Sequence, residues 1–299
     1  MKLRDIYATT RPAFSFEFFP PKTDRGEATL FETVERLKAL SPAFFSMTYG
    51  AGGSTREKTV ELGSRIRRSS GVETVCHVTC VGQSRDEVRG VIRQIAAHDM
   101  ENVMALRGDP PRGQPDWRPH PEGFRYAVEL VREVRAMGDY SVAVAGFPEM
   151  HPESKDRRTD LRHLKAKVEA GADAVITQLF FDNEDFFRFD RDLKAMGVAV
   201  PIVPGIMPIH SVEKIRQFCA FCKARIPEAL DRELDRVADD AEATRRLGVE
   251  FAARQIEELL DSGAPGAHLY CLNRAESVEA IVKRLGRRQV SRRAAERRG

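Results

Sequence analysis

The sequence predicts a single α/β domain closed as a (β/α)8 TIM barrel, with an extra helix before the eighth strand. Three observations predict it. Eight short β-rich runs alternate with longer amphipathic segments along 299 residues, the order that produces a parallel sheet. No Pro/Ser-rich linker interrupts the series. Eight is the number of strands that closes a barrel, and about 250 residues is an ordinary size for one. An open doubly wound sheet is the alternative, but its dinucleotide form carries G-x-G-x-x-G after the first strand. The nearest match here, Gly50-Ala51-Gly52-Gly53-Ser54-Thr55, follows the second strand and lacks the last glycine.

The expected strands are 13–18, 44–48, 74–79, 102–106, 141–145, 174–178, 202–206 and 268–270. The expected helices are 27–40, 54–69, 84–98, 124–137, 159–170, 183–196, 211–223, a longer 241–260, and 277–285, with 227–240 read as an insertion. Ser84 ahead of Asp86 and Glu87 has the form of an N-cap. Gly71, Gly138, Gly171 and Gly197 stand where helices need a left-handed residue to stop. The barrel domain is placed at 1–286 and a basic, disordered tail at 287–299.

Net charge is +3. Much of the excess lies in Arg287, Arg288, Arg292, Arg293, Arg297 and Arg298, so the body is slightly acidic and offers no nucleic-acid motif. The start lacks the apolar segment of a signal peptide, and no run has the ~18 apolar residues of a membrane span. Five cysteines in a chain this long do not make a disulfide framework. A cytoplasmic protein is expected. Cys219-Ala220-Phe221-Cys222 sits inside a helical pattern and reads as packing. No paired Cys/His spacing suggests a metal.

Barrel active sites lie at the C-terminal ends of the strands. The polar residues at those positions are Glu17, Thr48, His77, Arg107 with Asp109, Glu149 with His151, and Gln178. In the first strand Phe14, Phe16 and Phe18 share one face, and Ser15 and Glu17 share the other. A carboxylate among phenylalanines is expected to have a raised pKa, as a general acid requires. The other reading is a structural carboxylate paired with a cation. Gly108 lets backbone approach a ligand, Arg107 suits a phosphate, and Gln178 offers a donor and an acceptor to a heterocycle. His77 reads as a metal ligand, an acid/base or a core histidine, and a lone histidine is usually the last. Phe180, Phe181, Phe186, Phe187 and Phe189 read as helix–barrel packing.

Several motifs are more specific. They are FEFFPPKT at 16–23, Thr48-Tyr49-Gly50-Ala51, His77-Val78-Thr79-Cys80, Leu106-Arg107-Gly108-Asp109, Pro148-Glu149-Met150-His151-Pro152, TQLFFD at 177–182, PGIMP at 204–208 and Leu272-Asn273-Arg274-Ala275. In kind and order the set resembles methylenetetrahydrofolate reductases of the bacterial single-domain type, over nearly the whole chain.

The resemblance implies noncovalent FAD in the barrel mouth. NADH or NADPH would reduce it, and 5,10-methylenetetrahydrofolate would then become 5-methyltetrahydrofolate by ping-pong use of one site, within one-carbon metabolism. It implies Glu17 as general acid and Asp109 as the charge beside flavin and pterin. FAD contacts would come from Thr48, Tyr49, Ala51, His77, Arg107, Gly108, Asp109, Ala127, Phe147, His151, Asp160 and Lys167, with Thr48 also touching the nicotinamide nucleotide. Substrate contacts would come from Gln178, Phe218, Tyr270 and Arg274. A homo-oligomer is expected, with neither nucleic acid nor membrane as partner. Phe147 stands where tyrosine is common, Lys214 where glutamine can occur, and Gly52-Gly53 loosens one loop. The rivals are a flavin-independent reductase of the same family and a folate-binding barrel subunit of a redox or methyl-transfer complex.

Overall fold

The computed structural model describes residues 1–49, 56–109 and 118–296, with residues 56–57 and 287–296 as backbone alone. Its strands are β1 (Ala13–Phe18), β2 (Phe44–Met47), β3 (Thr74–Thr79), β4 (Asn102–Leu106), β5 (Ser141–Gly146), β6 (Ala174–Thr177), β7 (Ile202–Val203), β8 (Gly205–Ile206) and β9 (Gly266–Tyr270). All described pairings are parallel.

The sheet order runs β7-β6-β5-β4-β3-β2-β1-β9-β8. Its two ends are halves of one strand, split at Pro204. Ile202–Val203 pairs with β6, and Gly205–Ile206 pairs with β9. Proline has no N–H to give a ladder, but its carbonyl still accepts from the His268 N–H at 2.9 Å. The expected seventh strand is therefore bent rather than continuous, and through it the eight-stranded barrel closes.

Helices surround the strands: α1 (Leu3–Thr9), α2 (Asp24–Lys38), α3 (Arg56–Ser70), α4 (Arg85–Ala97), α5 (Ala127–Met137), α6 (Arg157–Glu169), α7 (Asn183–Ala195), α8 (Val212–Cys222), α9 (Glu228–Val237), α10 (Ala241–Asp261) and α11 (Glu276–Glu296). Ser84 forms a full capping box with Glu87. Gly71 and Gly197 take left-handed φ of 71° and 81° and Gly171 lies at 115°, whereas Gly138, at φ 159° and ψ −175°, ends its helix in extended backbone rather than in the expected left-handed form.

The core has three parts. Between sheet and helices lie outward-facing strand residues such as Phe16, Phe18, Phe45, Val103 and Val144, together with Phe180, Phe186 and Phe189. Inside the barrel floor, Phe44, Val75, Met104, Ala143, Ile176 and Val203 meet Leu3, Ile6 and Tyr7 of α1. Over the opposite end, Leu179, Phe181, Met207, Ile215 and Cys219 meet Leu230 and Leu234 of α9. Cys219 is thus helix packing, as its pattern indicated, and all five cysteines are free.

Three elements differ from expectation. Helix α1 has no counterpart among the expected elements, because its seven residues give little periodicity. It plugs the N-terminal end of the barrel, and its first amides are satisfied from other strands: Leu3 N–H donates to Asn102 Oδ1 (2.8 Å) and Arg4 N–H to Ser141 Oγ (3.2 Å). The expected insertion at 227–240 holds α9, with Leu230 and Leu234 on one face. Backbone of α11 continues to Glu296, past the expected end at 285.

Candidate functional site

Period-two alternation along β1 turns Phe16 and Phe18 outward and Ser15 and Glu17 inward. Three strands deliver donors to the same oxygen of Glu17. Ser46 Oγ of β2 lies 3.3 Å from Oε2, His77 Nε2 of β3 lies 3.3 Å away, and His268 Nε2 of β9 lies 3.1 Å away. Glu17 keeps 16% side-chain exposure. His268 is buried at 1% and its Nδ1 sits 2.7 Å from Ser15 Oγ.

This corrects the expected electrostatics. Burial does push the Glu17 carboxyl up, but a positive charge on His77 and the hydrogen bonds from His268 and His77 outweigh it and hold the group down at about 2. The phenylalanines lie on the other side of the strand, so the carboxylate sees imidazoles and a hydroxyl. His77 is therefore part of this constellation rather than a core histidine. His268 and Ser46 escaped the sequence reading. The alternation of His268 with Tyr270 along β9 was the signal that could have found the first.

The second wall is built by the loops after β4 and β5. Gly108 has φ +80°, and a Cβ there would fall 2.8 Å from Val81 Cγ1. Thr79 Oγ1, on the face shared with His77, is buried without a hydrogen-bond partner. Arg107 makes a two-pronged pair with Glu153 (2.8 Å for Nη2) and reaches Asp109 at 4.0 Å. Asp109 is 66% exposed. Phe147 meets His151 edge to face at 4.6 Å. Glu153 N–H donates to His151 Nδ1 at 3.1 Å, which leaves the ring proton on Nε2 in the neutral form. Burial, then the Arg107 charge, lower the His151 pKa.

Asp160 accepts from His151 N–H (3.2 Å) and Ser154 Oγ (3.1 Å), so it braces this loop from behind. Lys167 donates to the Ala145 carbonyl at 2.6 Å, and burial brings its ammonium down to about 8. Ala127 opens α5. Thr48 lies just past β2, where its carbonyl accepts from Thr59 Oγ1 at 3.0 Å. Tyr49 adjoins it and is half-buried. Ala51, Gly52 and Gly53 lie outside the described residues.

On the third side, β6 ends at Thr177, so Gln178 is the first loop residue. Its Oε1 accepts from Leu179 N–H at 2.9 Å. Tyr270 hydroxyl donates to the Thr177 carbonyl at 2.6 Å, tying β9 to β6 across the barrel. Asn273, not among the candidates, clamps Phe19 through both backbone groups (3.0 and 2.8 Å) and so locks the loop carrying Arg274 onto the loop after β1. Arg274 is exposed. Phe218, on α8, is 38% exposed. Glu149 is drawn away from the mouth: its carboxylate accepts from Arg225 N–H at 2.9 Å, and burial lifts it to about 7. Among the described residues no cluster of three or more His, Cys, Asp or Glu side chains could hold a metal, and no helix is long and apolar enough to cross a membrane.

A family model described as methylenetetrahydrofolate reductase matches residues 2–286. The chain is 38% identical to the 5,10-methylenetetrahydrofolate reductase of Escherichia coli, covering 91% of this chain and 90% of that one. It is 39% identical to methylenetetrahydrofolate reductase (NADH) 1 of Zea mays, covering 95% of this chain and 50% of the other. The chain thus spans about half the length of the plant relatives it matches. A solved Clostridium thermocellum protein, which binds two copies of 5-methyl-5,6,7,8-tetrahydrofolic acid, superposes with TM-score 0.66 at 16% identity, covering 95% and 97% of the two chains. That likeness speaks for the fold.

Proposed function

The chain belongs to the methylenetetrahydrofolate reductase family, and we propose that it reduces 5,10-methylenetetrahydrofolate to 5-methyltetrahydrofolate with FAD as cofactor and NADH as donor. The observation that carries this reading is Glu17, held inside the barrel by Ser46, His77 and His268. The NADH assignment follows the plant relatives' names.

The residues present fit a dinucleotide cofactor. The orphaned Thr79 hydroxyl and the buried Lys167 ammonium are the groups expected of a site for a polar, anionic molecule. Lys167, His151 and Arg107 would hold its diphosphate and hydroxyls, and Gly108 would admit it to the backbone. His77, Tyr49, Ala51, Ala127 and Phe147 would line it. Bound FAD supplies a two-electron carrier that takes hydride from the nicotinamide and delivers it to the folate methylene.

The chain's own residues do the rest. When a bound folate displaces the water left at Glu17, its carboxyl rises from the ionised state and takes up a proton. Glu17 gives that proton to the folate nitrogen whose bond to the bridging methylene breaks, and the cation left on the folate is stabilised by Asp109. Gln178 binds the pterin edge with its amide. Phe218, Tyr270 and Arg274 enclose the folate from α8, β9 and the loop after β9, and Thr48 meets the nicotinamide nucleotide when it takes its turn in the same site.

The visible spectrum of the purified chain, followed anaerobically, tests this. Flavin bands that bleach with NADH and return with methylenetetrahydrofolate are the expected result. A chain that FAD cannot colour overturns the flavin assignment. A yellow chain inert to NADH points to a subunit reduced by a partner.

A further inference from the structure

This inference rests on the proposed reduction and deepens it. We propose that Arg225, just past α8, is a positioning residue that fastens α8, and with it the folate-facing Phe218, to the cofactor loop after β5 and to the start of α7.

Arg225 meets three acidic side chains from two other segments. Its backbone N–H donates to both oxygens of Glu149, at 3.2 and 2.9 Å. Its Nη2 donates to Asp182 at 3.0 Å and to Asp185 at 2.9 Å. Arg188 Nη2 completes the cluster on Asp185 at 2.6 Å. Asp182 is the N-cap of α7, and Asp185 lies in its first turn. Burial, with the Asp185 charge beside it, keeps the Glu149 carboxyl up at about 7. Near neutral pH the remaining charges therefore balance, Asp182 and Asp185 against Arg188 and Arg225. An exposed ion pair by itself holds little. Asp185, however, is buried, and a buried carboxylate that loses a cation is costly, so the cluster resists opening.

The backbone is strained on both sides of the contact. Lys223 ends α8 at φ 55° and ψ 31°, and Met150 follows Glu149 at φ 91°. Left-handed backbone favours glycine, and other residues stay there only where their surroundings fix them. Met150 stands between Glu149, held by Arg225, and His151, whose N–H is held by Asp160 at 3.2 Å. No glycine stops α8. Its stop is imposed by the contact two residues on.

Helix α8 packs on the walls of the mouth. Ile215 and Cys219 share a cluster with Leu179, next to Gln178, and Tyr270 of β9 packs against it. Apolar packing is non-directional, so the polar contacts at Arg225 set where along that face Phe218 stands, about two helical turns earlier.

Hydrogen exchange of α8 in the purified chain, read by mass spectrometry, tests the clamp without any reaction. Arg225→Met is expected to speed exchange over 212–222 by about fivefold while β1 and β6 keep their wild-type rates. Wild-type exchange over 212–222 overturns the proposal. So does equal acceleration throughout the chain, which makes Arg225 a general structural residue. If that variant does not fold, unchanged exchange over 212–222 in both Asp182→Asn and Asp185→Asn overturns it.

Stopped-flow half-reactions add the functional consequence. In Arg225→Met the methylenetetrahydrofolate concentration for half-maximal flavin reoxidation is expected to rise about fivefold, with the limiting rates of both halves within about twofold. Only Nη2 is used on the two aspartates, so a lysine ammonium can stand in for it, and Arg225→Lys restores most of the affinity. A fall in limiting rate at unchanged half-saturation overturns the positioning role, as does an Arg225→Lys as weak as Arg225→Met. A wild-type chain that never reduces folate removes the proposed function, and the exchange rates still decide whether Arg225 clamps α8.

Discussion

Glu17 on β1 and Asp109 after β4 are the two carboxylates that the sequence marks for chemistry, and the barrel gives them different surroundings. Glu17 is 16% exposed, with donors from three strands on one oxygen. Asp109 is 66% exposed, and its described partner is Arg107 at 4.0 Å. A rigid wall made of strands has one carboxylate preorganised before any ligand arrives. The facing wall is made of loops and ion pairs, and its carboxylate acquires its environment with the ligand. Proton transfer needs a fixed geometry, whereas charge stabilisation tolerates a looser one.

The largest expected effect sharpens that contrast. Glu17→Gln lowers the folate half-reaction by about 10³-fold, within the usual range for a lost general acid, and leaves NADH-driven flavin reduction within about threefold; stopped-flow absorbance measures both. Comparable loss in the two halves makes Glu17 structural and removes the distinction.

Asp109→Asn comes next. It slows the folate half-reaction by roughly 30-fold and raises the flavin reduction potential, because a negative charge near the ring disfavours the reduced anion. Since Asp109 is largely exposed, the potential shift shrinks with added salt. A potential that stays put places Asp109 away from the flavin ring.

Gly108→Ala tests whether the loop wall also needs its backbone. A Cβ would meet Val81 and Thr79 at φ +80°, and thermal unfolding should show a loss of about 1–2 kcal/mol together with weaker FAD binding. Retention of both would mean that the β4 loop relaxes freely.

A smaller effect follows from Lys167, which burial lowers to about 8. The folded group is depressed below its ordinary 10.5, so the penalty of burying the charge is present below about 8 and is relieved as pH rises from there. An anionic cofactor needs the opposite, the protonated ammonium. FAD affinity, read by flavin fluorescence, should fall about tenfold per pH unit above 8 at most, and Lys167→Met should remove that dependence. Equal slopes in both proteins would exclude Lys167 from the diphosphate.

The smallest expected effect concerns Glu149, which lies outside both walls. Burial, with the charge of Asp185 adding to it and the Arg225 backbone N–H opposing, raises its carboxyl to about 7 from 4.5. The native state therefore holds this proton more tightly, and the stability it contributes is complete below about 4.5 and lost as pH rises through about 7. Glu149→Gln should flatten the Tm profile across that window. An unchanged profile would mean that other groups dominate it.

Much of the barrel was legible in local sequence. The runs at 13–18, 74–79 and 102–106 are strands with those bounds, because β-rich patterning and helix punctuation act over a few residues. Less local features were not. Helix α1 is too short to show a period, and its amides are capped by Asn102 and Ser141, about a hundred residues and more away. Pro204 reads as an ordinary strand residue until the barrel must close there. In the site, Glu17 and His77 could be named from their strand positions, whereas His268 was reachable only through its alternation with Tyr270, since GAHLY at 266–270 carries no other signature.

The sequence by itself determined the alternation of elements, the inward face of β1 and the family. Tertiary structure alone decided the charge state of Glu17. Alternation tells which side of a strand a residue takes, but electrostatics depends on what the neighbouring strands bring to that side. Parallel pairing places Ser15 and Glu17 beside His268 and Tyr270, more than 250 residues on, and Ser46 and His77 beside them from the other direction. Two imidazoles there reverse what burial would do to a lone carboxyl.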